Sequence, residues 1–436
     1  MKDPINSRFF VRRHPWISTV LLLAAVVLLY IQYQYWWRFT PVEINEKNFP
    51  DELFREYVQG FDDDDDGILS RGELKAVKEI EVVDNIDTSD PFNVKVIRSV
   101  TSLKGIEYFS NLESLSCFEC KELHQVDISK NTKLKELGFI ITGLTSLDVS
   151  HNKELTLLVI TNIASPFFER GNLTELDVSK NKNLESLSCS GQRLTTLNVS
   201  KNKALTHLDC ADNYLTELNV SRNKSLEKLY CGDNQLTAID VSKNTELSEF
   251  TCGGNQLTTI DVSRNRKLTK FDCGENRLTM VDVSRNSMLS ELDCDNNLLT
   301  AVNVGQNPEL RVLDISHNSI AEIDVSLNTR LERLNCDNTL LKELNVKQNS
   351  ELADLSCEYI GLSKLDISEN SKLEYLYYRG NKFKAIVVDK HPNMKVILCD
   401  DPEMVKGANR NCEIRTKTRN EEKEENEAAG ESASAT

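Results

Sequence analysis

Three aspartates at alternate positions near the amino end of the chain could together bind a metal ion. They occupy positions 1, 3 and 5 of a twelve-residue stretch in which a glycine at position 6 allows a sharp turn. The stretch offers oxygen ligands at six places: Asp62, Asp64, Asp66, the carbonyl of Ile68, Ser70 and Glu73. This spacing is that of an EF-hand loop, and an all-oxygen set of this size suits Ca²⁺. We therefore predict one calcium site; the alternative is that the five consecutive aspartates 62–66 are only a solvated acidic run.

Two short helices are expected to position this loop. Pro50 and Asp51 suit a first helical turn, and apolar residues follow at helical spacing as far as Phe61. A second short helix is expected after the loop, with three apolar residues on one face: Leu74, Val77 and Ile80. A calcium sensor needs a partner loop, and the sequence has one loop only. We therefore expect calcium to rigidify an EF-hand-like cap, residues 49–80, rather than to signal.

A 21-residue pattern repeats without a slip from Leu184, in ten units up to the one that begins at Leu373, with an eleventh at Met394. Counting the first residue as position 1, apolar residues recur at positions 1, 4, 6, 11, 14 and 16, and Asn is favoured at 9 and 19. The step of two from position 4 to 6 is an extended-chain spacing, and no helical stripe persists. An Asn at each corner could cap backbone groups or adopt the left-handed conformation. The period predicts a leucine-rich-repeat solenoid over residues 81–399.

The two ends of the chain carry different signals. An apolar run with interfacial aromatics at residues 16–37 predicts a transmembrane signal anchor, and the basic residues before it keep residues 1–15 in the cytoplasm. A cleaved signal peptide is the alternative. Residues 38–48 would form a connector. Beyond the repeats we expect a carboxyl-terminal cap at 400–412 and a disordered acidic tail at 413–436.

Cysteine recurs at position 6 of nine units: Cys189, Cys210, Cys231, Cys252, Cys273, Cys294, Cys336, Cys357 and Cys399. Ile315 takes the same place in another unit, so the site is apolar. Stacked coils bring such residues within reach of a disulfide, but parallel side chains suit its dihedral angle poorly. We predict buried thiols acting as small hydrophobes. A bridge between Cys399 and Cys412 stays open.

A strand around positions 3 to 7 would expose positions 3, 5 and 7 on a concave surface. Position 5 then gives an acidic centre at Asp272, Asp293 and Asp314, for which solvated surface is the plain alternative. An aromatic end at Tyr375 and Tyr377, with Arg379 alongside, is the better candidate for binding, because Tyr and Arg dominate interface hot spots. These residues could equally cover the last coil.

The units LTHLDCADNYLTELNVSRNKS and LEKLYCGDNQLTAIDVSKNTE, which begin at Leu205 and Leu226, resemble the cysteine-ladder repeats of bacterial internalin-type surface proteins of the internalin J kind. The resemblance covers about residues 97–399. It implies a right-handed superhelix with a helical amino-terminal cap, display outside the cytoplasm, and adhesion or protein binding. The chain departs from that pattern in its complete set of calcium ligands and in having no LPxTG sequence.

Together these features predict a recognition scaffold in a bacterial cell membrane, spanning it once, with its repeats outside the cytoplasm and an unknown protein or glycan as ligand. A structural envelope protein without a dedicated ligand is the alternative. The formal charge of -16 argues against nucleic acid as a partner. The scattered histidines offer no arrangement of nucleophile and base, so we do not expect an enzyme. A monomer is expected.

Overall fold

The computed structural model describes residue 27 and residues 41–83, 85–87, 95–162 and 170–416 of the 436-residue chain. The predicted membrane anchor, apart from residue 27, and most of the predicted tail lie outside these residues. None of the helices in the described residues combines the length and the apolar character that crossing a membrane requires.

One parallel sheet organises the molecule, and its strand order follows the chain order. Each strand residue pairs with the residue 21 positions later in the repeats, as Leu208 does with Leu229, so one repeat is one coil. Within the described residues the sheet has sixteen strands: β3 (Glu79–Val83), β6 (Ser114–Phe118), β7 (Glu136–Ile140), β8 (Leu157–Thr161), β9 (Ser186–Ser188), β10 (His207–Asp209), β11 (Lys228–Tyr230), β12 (Glu249–Thr251), β13 (Lys270–Asp272), β14 (Glu291–Asp293), β15 (Val312–Asp314), β16 (Arg333–Asn335), β17 (Asp354–Ser356), β18 (Tyr375–Tyr377), β20 (Val396–Leu398) and β22 (Glu413–Arg415).

Smaller elements flank this sheet. Among residues 41–416, where the structure describes them, there are three two-stranded pairs: β1 (Val42–Glu43) with β2 (Ile68–Leu69), β4 (Asn85–Asp87) with β5 (Lys95–Arg98), and β19 (Ile386–Val387) with β21 (Val405–Lys406). The helices in the same described stretches are α1 (Glu52–Gln59), α2 (Arg71–Ala76) and two 3-10 turns, Ile106–Tyr108 and Pro402–Met404. The second helix is shorter than predicted. It ends at Ala76, because Ile80 and Val82 alternate with polar residues and form the inward side of strand β3.

From Leu184 onwards the strands cover positions 3 to 5 only, less than the sequence suggested. Position 4 points inward, as at Leu208, which is fully buried, while positions 3 and 5 are partly exposed. The strand ends because the chain turns through a left-handed residue at position 8. Ten successive units have positive φ there: Gly191, Asp212, Asp233, Gly254, Glu275, Asn296, His317, Asn338, Tyr359 and Gly380. The left-handed residue therefore precedes the favoured Asn at position 9.

The asparagines at positions 9 and 19 are capping groups that join adjacent coils. Asn202, at position 19, is fully buried, and its Nδ2 donates to the carbonyls of Val178 at 2.9 Å and Asn181 at 2.8 Å. Asn213, at position 9, donates to the carbonyl of Cys189 and accepts a hydrogen bond from the amide of Leu194. The position-19 amide thus adds a second hydrogen bond to carbonyls that already accept a backbone amide, whereas the position-9 side chain gives the Leu194 amide an acceptor.

The cysteines line the interior of the coils. All twelve lie in the described part of the chain, none forms a disulfide, and Cys412 alone is not fully buried. Burial raises the pKa of the Cys231 thiol to about 12. The position-6 cysteines therefore behave as small apolar groups.

The sheet continues past Cys399. Strand β22 pairs in parallel with β20, with Ile414 opposite Ile397. Two strands therefore follow the Tyr375–Tyr377 strand, and the last of them lies at the start of the predicted tail. Residues 417–436 lie outside the described residues.

Candidate functional site

The amino-terminal loop lies between two capped helices. Asp51 caps α1, its Oδ1 accepting from the amide of Phe54 at 2.9 Å. Ser70 caps α2 in a capping box with Glu73, in which each side chain accepts from the other residue's amide. The first helix ends at its C-cap Gly60 and the second begins after its N-cap Ser70, so the residues from Asp62 to Ser70 lie between the two helices. Glu73, the last of the twelve residues, lies in the first turn of α2.

Three of the predicted ligands converge. Asp62, Asp64 and Asp66 each offer a carboxylate oxygen, and these atoms lie within 4.8 Å of one another. Among the described residues no other group of three His, Cys, Asp or Glu side chains comes this close. The Asp66 charge, followed by desolvation and the Glu73 charge, raises the pKa of Asp64. Gly67, with φ of +78°, makes the turn that lets the three side chains face one centre.

The other predicted ligands are held by hydrogen bonds within the loop. Glu73 lies outside the three-carboxylate cluster; its Oε1 accepts from the amide of Asp63 at 2.8 Å and its Oε2 from that of Ser70 at 2.6 Å. Hydrogen bonds, first from Ser70, lower the pKa of Glu73. Ile68 donates its amide to Asp66 at 2.7 Å. Glu73 thus already joins the two ends of the loop.

A short strand before the first helix supports the loop, and the sequence analysis did not find it. Strand β1 pairs antiparallel with β2, placing Val42 opposite Leu69, and the amide of Ile44 donates to the carbonyl of Gly67 at 2.9 Å. Leu69 is fully buried. The only sign of this strand in the sequence is the apolar–polar pair Val42 and Glu43. Two residues are too few for a period-2 pattern to be recognised.

Specific contacts join this unit to the first coils. Oδ2 of Asp51 accepts from the amide and the hydroxyl of Thr101, at 2.8 and 2.9 Å. The amide of Glu81, in the first strand of the large sheet, donates to the hydroxyl of Tyr57 at 3.1 Å. Phe49 is fully buried and packs on Phe54 and Phe109. The loop and its helices are therefore packed on the start of the solenoid.

The second candidate surface is the outer sheet face, defined here as positions 3, 5 and 7 of the repeats. At position 3, acidic and basic residues of neighbouring strands pair: Lys228 with Glu249 at 2.7 Å, Lys270 with Glu291 at 2.9 Å, and Arg333 with Asp354 at 3.3 Å. Adjacent strands place these side chains opposite one another. Much of the charge at position 3 is therefore neutralised within the sheet.

Position 5 brings the three predicted aspartates side by side. Asp272 pairs in register with Asp293, and Asp293 with Asp314, on strands β13 to β15. Burial raises the pKa of Asp293 to about 7, although a backbone hydrogen bond to its carboxylate acts to lower it. The neighbouring charges of Asp314 and Asp272 raise the pKa further. Burial likewise raises the pKa of Asp272. These carboxylates form a half-buried acidic row.

The predicted aromatic end is more self-contained than the sequence suggested. Arg379 makes a two-bond pair with Glu358, at 2.6 and 3.2 Å, and both side chains are only 11% exposed. Its guanidinium also lies 5.6 Å from the ring centre of Tyr359. Tyr375 and Tyr377 point to the outer sheet face, and Lys395 lies 5.6 Å from the Tyr375 ring centre. Tyr375 and Tyr377 thus share a face, while Arg379 is engaged within it.

Comparison with solved structures places these features in a known architecture. The functional domain of InlJ from Listeria monocytogenes, which includes a cysteine ladder, matches 86% of this chain over 81% of its own length, with 28% identity and a TM-score of 0.72. The fold is a leucine-rich-repeat solenoid. An internalin, InlF, from the same organism matches 82% of this chain and 97% of its own at 20% identity and a TM-score of 0.63.

A leucine-rich-repeat protein from Leptospira interrogans matches 75% of this chain and 91% of its own, with 22% identity and a TM-score of 0.60. These last two similarities concern the fold. The sequence matches no family model and no curated protein. The chain is therefore similar to internalins J and F in fold, and to internalin J also in its cysteine ladder.

Proposed function

We propose that this chain is a recognition scaffold, anchored in a bacterial membrane by residues 16–37, that binds a protein or glycan outside the cytoplasm through its outer sheet face. The similarity to internalin J supports the surface location. A binding role, rather than catalysis, suits a rigid array of coils whose exposed side chains can change independently of the core.

The observation that carries this proposal is the contrast between inward and outward strand positions. Position 4 is Leu or Phe in every unit from Leu184 to Leu373 and is buried throughout. Position 5, one residue on, takes five residue types across the same ten units: Ser188, Asp209, Tyr230, Thr251, Asp272, Asp293, Asp314, Asn335, Ser356 and Tyr377. Packing in the core determines the residue at position 4 but not the residue at position 5. We propose that ligand binding determines the residues at position 5.

We also propose that Ca²⁺ binds the amino-terminal loop and fixes the cap on the first coil. Calcium–oxygen distances of about 2.3–2.6 Å allow ligand atoms up to about 5 Å apart, and the oxygens of Asp62, Asp64 and Asp66 lie within 4.8 Å. Glu73 would exchange its bond from the Asp63 amide for the ion, with Ser70 and the Ile68 carbonyl completing the set. The ion would supply the positive charge that these clustered carboxylates lack.

The neighbouring strand supports a structural role for calcium over a signalling role. The edge of β2 through which a second calcium loop could pair is already occupied by β1. The helix before the loop is also tied to the first coils, because Asp51 accepts from Thr101 and Tyr57 accepts from the amide of Glu81. Calcium would therefore stiffen the end of the solenoid rather than open a groove.

Binding through the outer sheet face can be tested with the full chain on glycan and peptide arrays. Two variants alter that face, Tyr375→Ala/Tyr377→Ala and Asp293→Asn/Asp314→Asn. The matched control, Glu217→Gln/Glu322→Gln, alters exposed residues at position 13, outside the strands. We expect a ligand that the control retains and at least one face variant loses. Failure to bind any array component would support the structural envelope protein instead.

A further inference from the structure

Two exposed leucines stand at position 10, three residues after the last position of the outer sheet face, where the fold does not require them. Leu298 is 58% exposed and Leu340 is 61% exposed. Both occupy position 10, where other units carry polar residues such as Gln235, Gln256 and Ser319. The two leucines are two coils apart, about 10 Å at the usual spacing of parallel strands. Because Gln serves at the same corner elsewhere, these leucines are available for a partner.

The same coils carry carboxylates that the sheet does not neutralise. At position 3, the acids Glu249, Glu291 and Asp354 each have a basic partner on the preceding strand. At positions 5 and 7, five aspartates on four successive coils have no ion pair with any Lys or Arg among the described residues: Asp272, Asp293, Asp295, Asp314 and Asp337. Ion pairs therefore neutralise these acids at position 3, whereas the aspartates at positions 5 and 7 keep their negative charge unpaired.

These aspartates are held apart and partly desolvated. Amide groups fix several of them, as Ser316 does for Asp314 at 2.9 Å and Asp295 for Asp293 at 3.1 Å. Burial raises the pKa of Asp337 to about 6. A cation brought against this row would offset both the lost hydration and the repulsion between neighbours.

The spacing of the row distinguishes between two kinds of cation. The ligand oxygens of these aspartates do not gather within 4.8 Å as a group of three, whereas those of Asp62, Asp64 and Asp66 do. The carboxylates instead lie on successive strands, whose spacing is about 4.8 Å. Positive charges distributed along a chain match that arrangement better than one metal ion does.

We propose that the outer sheet face from Asp272 to Asp337, together with Leu298 and Leu340, docks a basic polypeptide segment in which Lys or Arg accompanies large apolar residues. This inference rests on the proposed recognition function and specifies its partner. A segment in the polyproline II conformation has three residues per turn and advances about 3.1 Å per residue. Apolar residues three apart then lie on one side, about 9 Å apart, and reach both leucines, while the basic residues between them lie on the sides that can face the aspartates.

The test is fluorescence anisotropy with a labelled 15-residue peptide that repeats Leu-Lys-Lys, added to the full chain at physiological salt. Peptides repeating Leu-Glu-Glu and Gly-Lys-Lys serve as controls for charge and for the apolar residues. We expect the Leu-Lys-Lys peptide to bind at least tenfold more tightly than either. Asp293→Asn/Asp314→Asn and Leu298→Gln/Leu340→Gln should each weaken it about tenfold.

The matched control is Glu217→Gln/Glu322→Gln, which removes the same number of carboxylates away from this face and should leave binding unchanged. Circular dichroism confirms that each variant is folded; Asn335 and Gln235 show that the chain accepts the replacing residues at these positions. Equal weakening by the control would reduce the effect to net charge and overturn the inference. Preferential binding of Leu-Glu-Glu would overturn it too, while leaving recognition by the outer sheet face intact.

Discussion

Replacing one buried asparagine of the position-19 ladder tests how adjacent coils are joined. Asn265 is fully buried, and its Nδ2 donates to the carbonyls of Val241 at 3.1 Å and Asn244 at 2.8 Å. Each carbonyl also accepts a backbone amide, so Asn265→Ala removes two hydrogen bonds without leaving either carbonyl wholly unpaired. At about 0.5–1.5 kcal/mol per bond, we expect the local free energy of unfolding to fall by about 2 kcal/mol.

Asn265→Asp should be worse, because a carboxylate oxygen would face two carbonyls in a buried site. Native-state hydrogen exchange is the suitable assay, since long repeat arrays do not unfold in two states. Amides of the coils from Asn244 to Asn286 should lose protection. Asn219→Ala, at an exposed position where Oδ1 accepts one bond from Ser221, should change local stability by less than about 0.5 kcal/mol. Equal effects of Asn265→Ala and Asn219→Ala would refute this account of the ladder.

Three further outcomes follow from buried groups elsewhere. Under native conditions a thiol reagent should modify Cys412 well before the eleven buried cysteines, and mass spectrometry of the peptides measures the extent of labelling at each site. Rapid labelling of all twelve cysteines would contradict their burial. The pKa of Asp293 is raised from 3.8 to about 7 in the fold. Its stabilising contribution is thus full below about pH 4 and lost as pH rises through 7. We expect Asp293→Asn to flatten the pH dependence of the local free energy of unfolding, measured by native-state hydrogen exchange of the neighbouring coils, by on the order of 1–2 kcal/mol after solvent screening; an unchanged profile would contradict this. Asp51→Ala should destabilise the cap by about 2–3 kcal/mol and expose the Thr101 amide to exchange, whereas unchanged protection would show that this contact is dispensable.

The period of the repeats predicted the coils and the inward residues, since both depend on a pattern that recurs every 21 residues. The details that were missed are local. The left-handed residue at position 8 escaped notice because Asp, Gly, Glu, Asn, His and Tyr all occupy it, so no residue type marks it. The roles of the asparagines were visible in outline, but their partners lie on a neighbouring coil.

Parts of the candidate sites that are close in sequence were predicted, and contacts between distant residues were not. The loop aspartates are close in sequence, and Asp62, Asp64 and Asp66 do converge. Glu73 is ten residues from Asp63, and its engagement with that amide depends on how the loop closes. Arg379 pairs with Glu358, which is 21 residues away and one coil earlier. Side chains that meet across coils can be matched only once the register is known.

Calcium in the amino-terminal loop is the central chemical claim, and calorimetric titration of the full chain tests it directly. Asp65→Asn is the matched control, because it removes a carboxylate from the acidic run at a non-ligand position and keeps a residue that tolerates φ of 55°. We predict that one calcium ion binds per chain and raises the melting temperature in the wild type and in Asp65→Asn, and that both effects are lost in Asp62→Ala/Glu73→Ala. Absence of binding in the wild type, or equal weakening by Asp65→Asn, would contradict it.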